Sequence, residues 1–309
     1  MSATNEPSVP RHRSVLVTEV LAAIQPSPGQ IIVDATLGAG GHARQILARL
    51  GNHGRLIALD RDAEMLELAR PWLDLTRTTL VQANFDRLRE VLDELRIPEV
   101  DGVLADLGIC SDQLEAAERG LSFQQKGRLD MRLDRSGGPT AADLLRRLDE
   151  RELADVFFRF GEERFSRRIA RRVVEERRRA PFETTTQFAD LVRRCVPRSS
   201  RRSGIDPATR CFQALRIAVN DELGALERLL RDLPRCLKPG GVAALISFHS
   251  LEDRLVKQAF RDRNRWLALT RKPVTAGDDE RRTNPRSRSA KLRAACLIEI
   301  DGTGKEHGR

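Results

Sequence analysis

Two kinds of apolar patterning alternate along the first hundred residues. Short apolar runs, Ile31-Ile32-Val33, Leu56-Ile57-Ala58-Leu59 and stretches near 78–82 and 102–106, have the length and β-branching of buried strands. Between them, 42–50, 62–70 and 86–95 carry apolar residues at helical spacing. Ahead of them, Val15 to Ile24 predicts a short amphipathic helix capped by Ser14, and residues 1–11 are expected to be disordered. A βα series of this kind predicts an α/β fold with a parallel, doubly wound sheet. The alternation stops near residue 112. From there to 206 the pattern gives helices at about 140–148, 150–159, 162–179 and 185–195 and no strand, with Phe165, Ile169 and Val173 as a buried stripe in the third. Residues 120–140, rich in Gly, Asp and Arg, read as an ordered loop or a lid. The series then resumes. Thr209 to Leu233 reads as one long helix, Leu237 to Gly241 as a turn, Val242 to Phe248 as a central strand and 250–262 as a helix. Weak strands near 266–271 and 293–300 would close the sheet, with Asp278 to Arg293 between them as a charged loop. The expected organisation is a core in two parts, 1–112 and 207–309, with a helical domain inserted at 113–206.

The first predicted strand runs into Asp34-Ala35-Thr36-Leu37-Gly38-Ala39-Gly40-Gly41-His42, a glycine run at a strand-to-helix turn, where the backbone can approach a ligand closely. The second ends in Asp60, placed to accept hydrogen bonds from ribose hydroxyls. Together they read as an adenosine site. Gly38-x-Gly40-x-x-Ala43 also fits the relaxed dinucleotide fingerprint, so NAD is a candidate. Asp34 argues against it: a carboxylate ahead of the glycines opposes a pyrophosphate and suits a cationic ligand such as S-adenosylmethionine. The fourth strand ends in Asp106, on the same rim of the sheet as Gly38–Gly41 and Asp60.

Charge points to the partner. The formal net charge is +9, which favours an anionic partner, nucleic acid first. Between Arg164 and Arg202 there are 13 basic and four acidic side chains, the kind of surface that grips phosphates. Tyrosine is absent and aromatics are 4% of the chain, so base stacking is not expected to dominate binding. The five cysteines form no CxxC pair, which suggests neither a disulfide framework nor a zinc site and fits a reducing, cytoplasmic setting. Met1 to Pro10 has no apolar run, so no signal peptide is expected, and no stretch approaches membrane-spanning length.

From His12 to Arg293 the chain resembles the bacterial RsmH (MraW) methyltransferases. Asp34–His42 is similar to that family's first motif. Asn84-Phe85 follows the third strand, and Asp106-Leu107-Gly108-x-x-Ser111-x-Gln113-Leu114 follows the fourth. Glu118-Arg119-Gly120-x-Ser122-Phe123, Leu129-Asp130-Met131-Arg132, Gly161-Glu162-Glu163-Arg164-Phe165, Pro207-Ala208-Thr209-Arg210 and Phe212-Gln213-Ala214-Leu215-Arg216 continue the likeness. Ser247 to Arg254 and Asn284-Pro285-Arg286-Ser287-Arg288-Ser289 complete it. Ser14, Cys110, Asp112, Arg128 and Asp206 depart from the family's usual residues.

The resemblance implies a Rossmann-like class I methyltransferase core with an inserted helical domain. It implies methylation of the exocyclic N4 of a cytosine in 16S ribosomal RNA, with S-adenosylmethionine as donor and no metal. The implied cofactor contacts are Gly40, Gly41, His42, Asp60, Phe85, Asp106 and Gln113. Phe85 suits the adenine face; Gln113 rests on the resemblance alone. Asp106 is the candidate to accept a hydrogen bond from the reacting amino group, and His42 is not read as a base. No cysteine nucleophile is required, so Cys110 is a bystander. His249 reads as a structural or RNA-contacting residue rather than a metal ligand. The arginine-rich insertion would grip folded ribosomal RNA, in the assembling small subunit. A non-catalytic RNA-binding factor and an NAD-dependent enzyme are the competing classes.

Overall fold

A computed structural model of the chain describes residues 13–197 and 206–299. The expected disorder at 1–11, and His12, Arg198, Arg201 and Arg202, lie outside the described residues. In order, the elements begin α1 (Val17–Ile24), β1 (Ile31–Asp34), α2 (Gly41–Leu47), β2 (Arg55–Asp60), α3 (Ala63–Ala69), β3 (Thr78–Gln82), α4 (Leu88–Glu94) and β4 (Val100–Asp106). Then come α5 (Ser111–Glu115), α6 (Ala141–Arg147), α7 (Glu150–Gly161), α8 (Ser166–Arg177), α9 (Thr185–Cys195), α10 (Ala208–Asn220) and α11 (Glu222–Asp232). The chain closes with β5 (Leu237–Ser247), α12 (Ser250–Ala259), β6 (Trp266–Ala268), α13 (Asp278–Thr283) and β7 (Lys291–Leu297). Among the described residues no helix is long and apolar enough to cross a membrane.

The strands form one seven-stranded sheet in the order β3-β2-β1-β4-β5-β7-β6. All neighbours pair in parallel except β7, which runs antiparallel to β5 and β6. This is the Rossmann-like doubly wound arrangement, with its switch point between β1 and β4, where the strand order reverses. Both faces are covered, which is why the strands are apolar runs rather than alternating ones. Ile32, Leu56, Ala58, Leu104 and Ile246 face a core that includes Val20 of α1, Ile46 of α2 and Leu66 of α3. Val33, Ile57, Leu59, Val103 and Leu245 face the other, which includes Val91 of α4, Leu229 of α11 and Val256 of α12.

The chain divides into two compact units: residues up to Gly108 with those from Ala225 on, and Ile109–Gly224. The second unit is helical and has its own core. The predicted stripe runs through it, with Ile169 and Val173 fully buried and Phe165 half-buried, beside Phe157, Phe188 and Phe212. Helix α10 packs into this core through Cys211, Phe212 and Leu215. The loop 120–140 is ordered by polar ties. Arg132 forms an ion pair with Asp130 at 2.7 Å. Asn220, buried, donates from Nδ2 to the Met131 carbonyl (2.8 Å) and accepts at Oδ1 from the Leu133 N–H (2.9 Å).

Several local expectations are corrected. Ser14 does not cap α1; the cap position is Leu16, in the left-handed region at φ 54°. The long helix expected from Thr209 to Leu233 breaks at Asp221, also left-handed at φ 48°, whose N–H still closes onto the Ile217 carbonyl. Likewise Glu162 at φ 49° ends α7, so α8 starts only at Ser166. Leu237 to Gly241 is no turn but the start of β5. The register jumps from Val100 with Leu237 to Gly102 with Val242, so Lys238, Pro239 and Gly240 bulge to solvent. The charged loop expected at 278–293 contains α13 and a 3₁₀ turn at Pro285–Arg288.

Replacing Asn220 with Ala leaves the Met131 carbonyl and Leu133 N–H without that side chain, so Asn220→Ala should destabilise the second unit by about 2–3 kcal/mol. Urea denaturation with hydrogen exchange at Leu133 measures this. Wild-type stability with unchanged exchange would show that the asparagine does not hold the loop.

Candidate functional site

The switch point gathers the chemistry. β1 ends at Asp34, and the chain turns over it into the glycine run. Two backbone bonds hold the turn to the sheet: Ala35 N–H to the Leu104 carbonyl and Leu37 N–H to the Leu59 carbonyl, both 2.8 Å. Thr36 ties the tips of β1 and β4, its Oγ1 accepting from the Asp106 N–H at 2.6 Å. Gly38 (φ 50°) and Gly40 (φ 79°) adopt the left-handed conformation that glycine adopts without a Cβ penalty. The run then enters α2 at Gly41.

Asp60, half-buried at the tip of β2, accepts from two amides: Oδ2 from Gly38 N–H at 2.8 Å and Oδ1 from Asp62 N–H at 2.9 Å. Each oxygen retains a lone pair for a hydroxyl donor. Burial pushes this carboxyl up to about 6, against the pull of its two amides. Asp34 is 1% exposed and also pushed up to about 6 by burial, with His42 as the main charge opposing the shift. Its Oδ1 accepts from Thr36 N–H at 3.2 Å, whereas Oδ2 has no hydrogen-bond partner among the described residues. Both ring nitrogens of buried His42 and Oδ1 of Asp106 are in the same position, and His42 Nε2 lies 3.7 Å from Asp106 Oδ2. Buried polar atoms are almost always paired in a folded protein, so this concentration marks a place for a polar ligand. An ammonium or amino group would satisfy the carboxylate oxygens, and the left-handed glycines keep the turn free of side chains. The residues present therefore fit S-adenosylmethionine, with its cationic head and its ribose.

Gly40, Gly41, His42, Asp60 and Asp106 thus meet on one rim. Phe85 stands half-buried at the start of the 3₁₀ turn after β3, with Asn84 Oδ1 accepting its N–H. Gln113 belongs to the second unit, where its Oε1 accepts from the Cys110 N–H (2.9 Å) and closes the first turn of α5. Cys110 is the buried N-cap of that helix, its Sγ 3.3 Å from Asp112 Oδ2. His249 caps α12: Nδ1 accepts from the Glu252 N–H at 3.4 Å, and Glu252 Oε2 accepts from Phe248 N–H at 2.8 Å. Sequence reasoning missed Thr36, whose hydroxyl ties two strand tips, and the reason for Gly108. A Cβ at Gly108 would lie 2.6 Å from the Phe248 ring, so the glycine admits that ring beside the β4 tip. The Gly108–Phe248 pairing joins residues far apart in sequence and has no local signal.

Among exposed arginines of α8 and its exit, Arg172 pairs with Glu175 and Glu176, and Arg171 with Glu150. Arg167, Arg168, Arg178 and Arg179 are exposed and have no ion-pair partner among the described residues.

Comparison with known proteins is in keeping with this geometry. Residues 10–298 match the MraW methylase family. A Sorangium cellulosum protein named ribosomal RNA small subunit methyltransferase H is 52% identical over 290 residues, covering 93% of this chain and 91% of its own length. Proteins of the same name from Syntrophotalea carbinolica and Synechocystis are 49% and 46% identical, covering 92% and 93% of this chain and 97% and 93% of their own lengths.

The buried carboxylates give a pH signature. A carboxyl whose folded value is raised binds its proton more tightly in the native state, so its contribution to stability is full below pH 3.8 and lost as pH rises through about 6. Asp34→Asn removes the cost of ionisation. The ligand-free variant should be more stable than wild type at pH 7.5, by about 1–3 kcal/mol, and nearly equal to it at pH 4. Denaturation at the two pH values tests this. A variant that is less stable at pH 7.5 would show that Asp34 is held by interactions the amide cannot replace.

Proposed function

The chain belongs to the MraW methylase family, and from that membership we propose that it methylates the exocyclic N4 of a cytosine in the decoding region of 16S ribosomal RNA. At the coarser level it is an S-adenosylmethionine-dependent methyltransferase of small-subunit ribosomal RNA, as its relatives are named. The observation that carries the site assignment is the convergence of buried polar atoms with no hydrogen-bond partner among the described residues, Asp34 Oδ2, the His42 nitrogens and Asp106 Oδ1, beside the glycine turn.

The cofactor supplies an activated methyl group. The chain's own residues do the rest. Gly40 and Gly41 leave the turn open to the cofactor, Asp60 accepts from its ribose, Phe85 offers an apolar face to adenine, and Asp34 meets its cationic end. The nitrogen to be methylated is weakly nucleophilic because its lone pair is delocalised into the ring. Alignment and hydrogen bonding of its protons therefore do most of the work. Asp106, with Oδ1 lacking a partner among the described residues, is the acceptor for an amino hydrogen. N4 accounts for the chemistry better than C5, because C5 methylation needs a free thiolate and Cys110 is built into a helix cap. The cytosine must leave its stack to reach such a site. The RNA grip is assigned to the second unit, through Arg167, Arg168, Arg178 and Arg179, with folded RNA of the assembling subunit as substrate.

Mass spectrometry of digested small-subunit RNA after reaction should show N4-methylcytidine, and Cys110→Ser should retain activity. Finding 5-methylcytidine, or loss of all turnover in Cys110→Ser, would overturn the N4 assignment. Reversing Arg167, Arg168, Arg178 and Arg179 to Glu should weaken RNA binding and flatten its salt dependence while cofactor affinity is unchanged. RNA binding and a salt slope equal to wild type would remove the second unit as the phosphate grip.

A further inference from the structure

The Asn284-Pro285-Arg286-Ser287-Arg288-Ser289 stretch, singled out in the sequence, has no part in the site described above. Its place in the fold gives it one. Asn284 is 6% exposed, and its Nδ2 donates to the Arg13 carbonyl at 2.9 Å. Its own backbone is fixed on both sides. Asn284 N–H donates to the Glu280 carbonyl (2.7 Å), and its carbonyl accepts both the N–H and the hydroxyl of fully buried Ser287, at 3.0 and 2.8 Å. One turn back on α13, Glu280 Oε1 accepts from the Leu16 N–H at 2.9 Å, and Thr283 Oγ1 accepts from Arg13 Nη1 at 3.1 Å. The α13 region therefore grips a single target, the strap Arg13–Leu16, at both ends.

The strap in turn lies against the glycine turn. A Cβ at Gly41 would overlap Ser14 Oγ and stand 3.1 Å from Ser14 Cβ, so Ser14 is in contact with the first residue of α2. Ser14, expected to cap α1, instead stands against Gly41. The strap also holds Leu16, a bulky and fully buried residue, at φ 54°. A left-handed leucine is strained and persists only where the surroundings over-determine it. Here they do, because its N–H is held by Glu280, and Val15 and Leu16 are sunk in the core.

We propose that Arg13–Leu16 is a wall of the cofactor site, fixing Gly41 and the start of α2, and that Asn284 and Glu280 are the positioning residues that hold it there. The inference rests on the reading of the glycine turn as the cofactor site. Neither side chain is assigned a contact with a reactant; both act through the strap. Removing one hydrogen bond from it should loosen the wall and weaken S-adenosylmethionine binding by roughly tenfold, the equivalent of about 1.4 kcal/mol.

The test measures S-adenosylmethionine affinity by calorimetry, KM for it, kcat at saturating cofactor and exchange of the Leu16 amide. The variants are Asn284→Ala, Glu280→Leu, Glu280→Gln and Asp60→Ala, each at a temperature where its melting curve shows it fully folded. Asn284→Ala and Glu280→Leu should raise Kd and KM about tenfold, change kcat less than twofold, and speed Leu16 exchange. Glu280→Gln keeps an acceptor for the Leu16 N–H and should restore wild-type values. If Asp60→Ala loses affinity while Asn284→Ala and Glu280→Leu keep it despite faster Leu16 exchange, the strap is no wall and the inference is overturned. If kcat falls with KM unchanged, or Glu280→Gln fails to rescue, the positioning role is likewise wrong. Unchanged affinity in Asp60→Ala would instead indict the cofactor-site reading itself.

Discussion

The structure turns on carboxylates held where water cannot fully reach them. Asp34, Asp60 and Asp106 end three parallel strands at the switch point of the sheet, and burial raises the first two carboxyls to about 6. Such groups are costly in a ligand-free protein, because each charge loses its hydration without a full replacement. The fold meets part of that cost with backbone amides, from Gly38 and Asp62 on Asp60 and from Thr36 on Asp34. Asp34 Oδ2 and Asp106 Oδ1 have no hydrogen-bond partner among the described residues. Under the proposed reading, a cationic, amine-bearing cofactor and an amino-bearing base would supply partners for these oxygens. Burial of the Asp34 and Asp60 carboxyls costs stability at neutral pH, where they ionise.

What the chain discloses before folding follows from range. The strands of the core are legible because both faces are buried, so Ile31-Ile32-Val33 and Leu56–Leu59 are apolar throughout. The glycine run and Asp60 are legible because their chemistry is local: a turn without Cβ atoms and an acid at a strand tip. The illegible parts depend on contacts distant in sequence. The break at Asp221 inside Thr209–Leu233 is masked because apolar residues continue at helical spacing across it, although Asn220 and Asp221 are types that tolerate the left-handed conformation. Ser14 has the right type for a cap, but its neighbour is Gly41 rather than the first turn of α1. Asp278 to Arg293 looks like a solvated charged loop, yet Asn284 and Ser287 are buried within it. Gln113 shows the converse, being marked by resemblance alone and carrying a hydrogen bond that caps its own helix.

Arginine content alone overstates the positive charge that α8 leaves available to a polyanion. Of the arginines on α8, Arg172 is held by two glutamates, Arg171 faces Glu150, and Arg177 donates to the Leu145 and Leu148 carbonyls beyond the end of α6. Those side chains are committed to the helical unit's own architecture. The cations left for a polyanion are fewer and lie toward the two ends of the helix, at 167–168 and 178–179. Exposed ion pairs are individually weak, so a phosphate can compete for Arg171 or Arg172, but it must first displace a carboxylate.

The antiparallel end of the sheet then acquires a purpose beyond closure. β7 reverses direction against β5, and the segment leading into it must therefore arrive at the same rim where β1, β2 and β4 end. That segment contains α13 and the Asn284–Ser287 turn. From there it reaches the strap at Arg13 and Leu16, and the strap reaches Gly41. Three pieces of chain, one of them more than two hundred residues from the other two, are thus joined by hydrogen bonds and one side-chain contact around a turn whose glycines have no side chains to hold it. A glycine turn gains close approach to its ligand by giving up packing. The conformational freedom that glycine brings must be removed by neighbours, and here those neighbours come from both ends of the described chain.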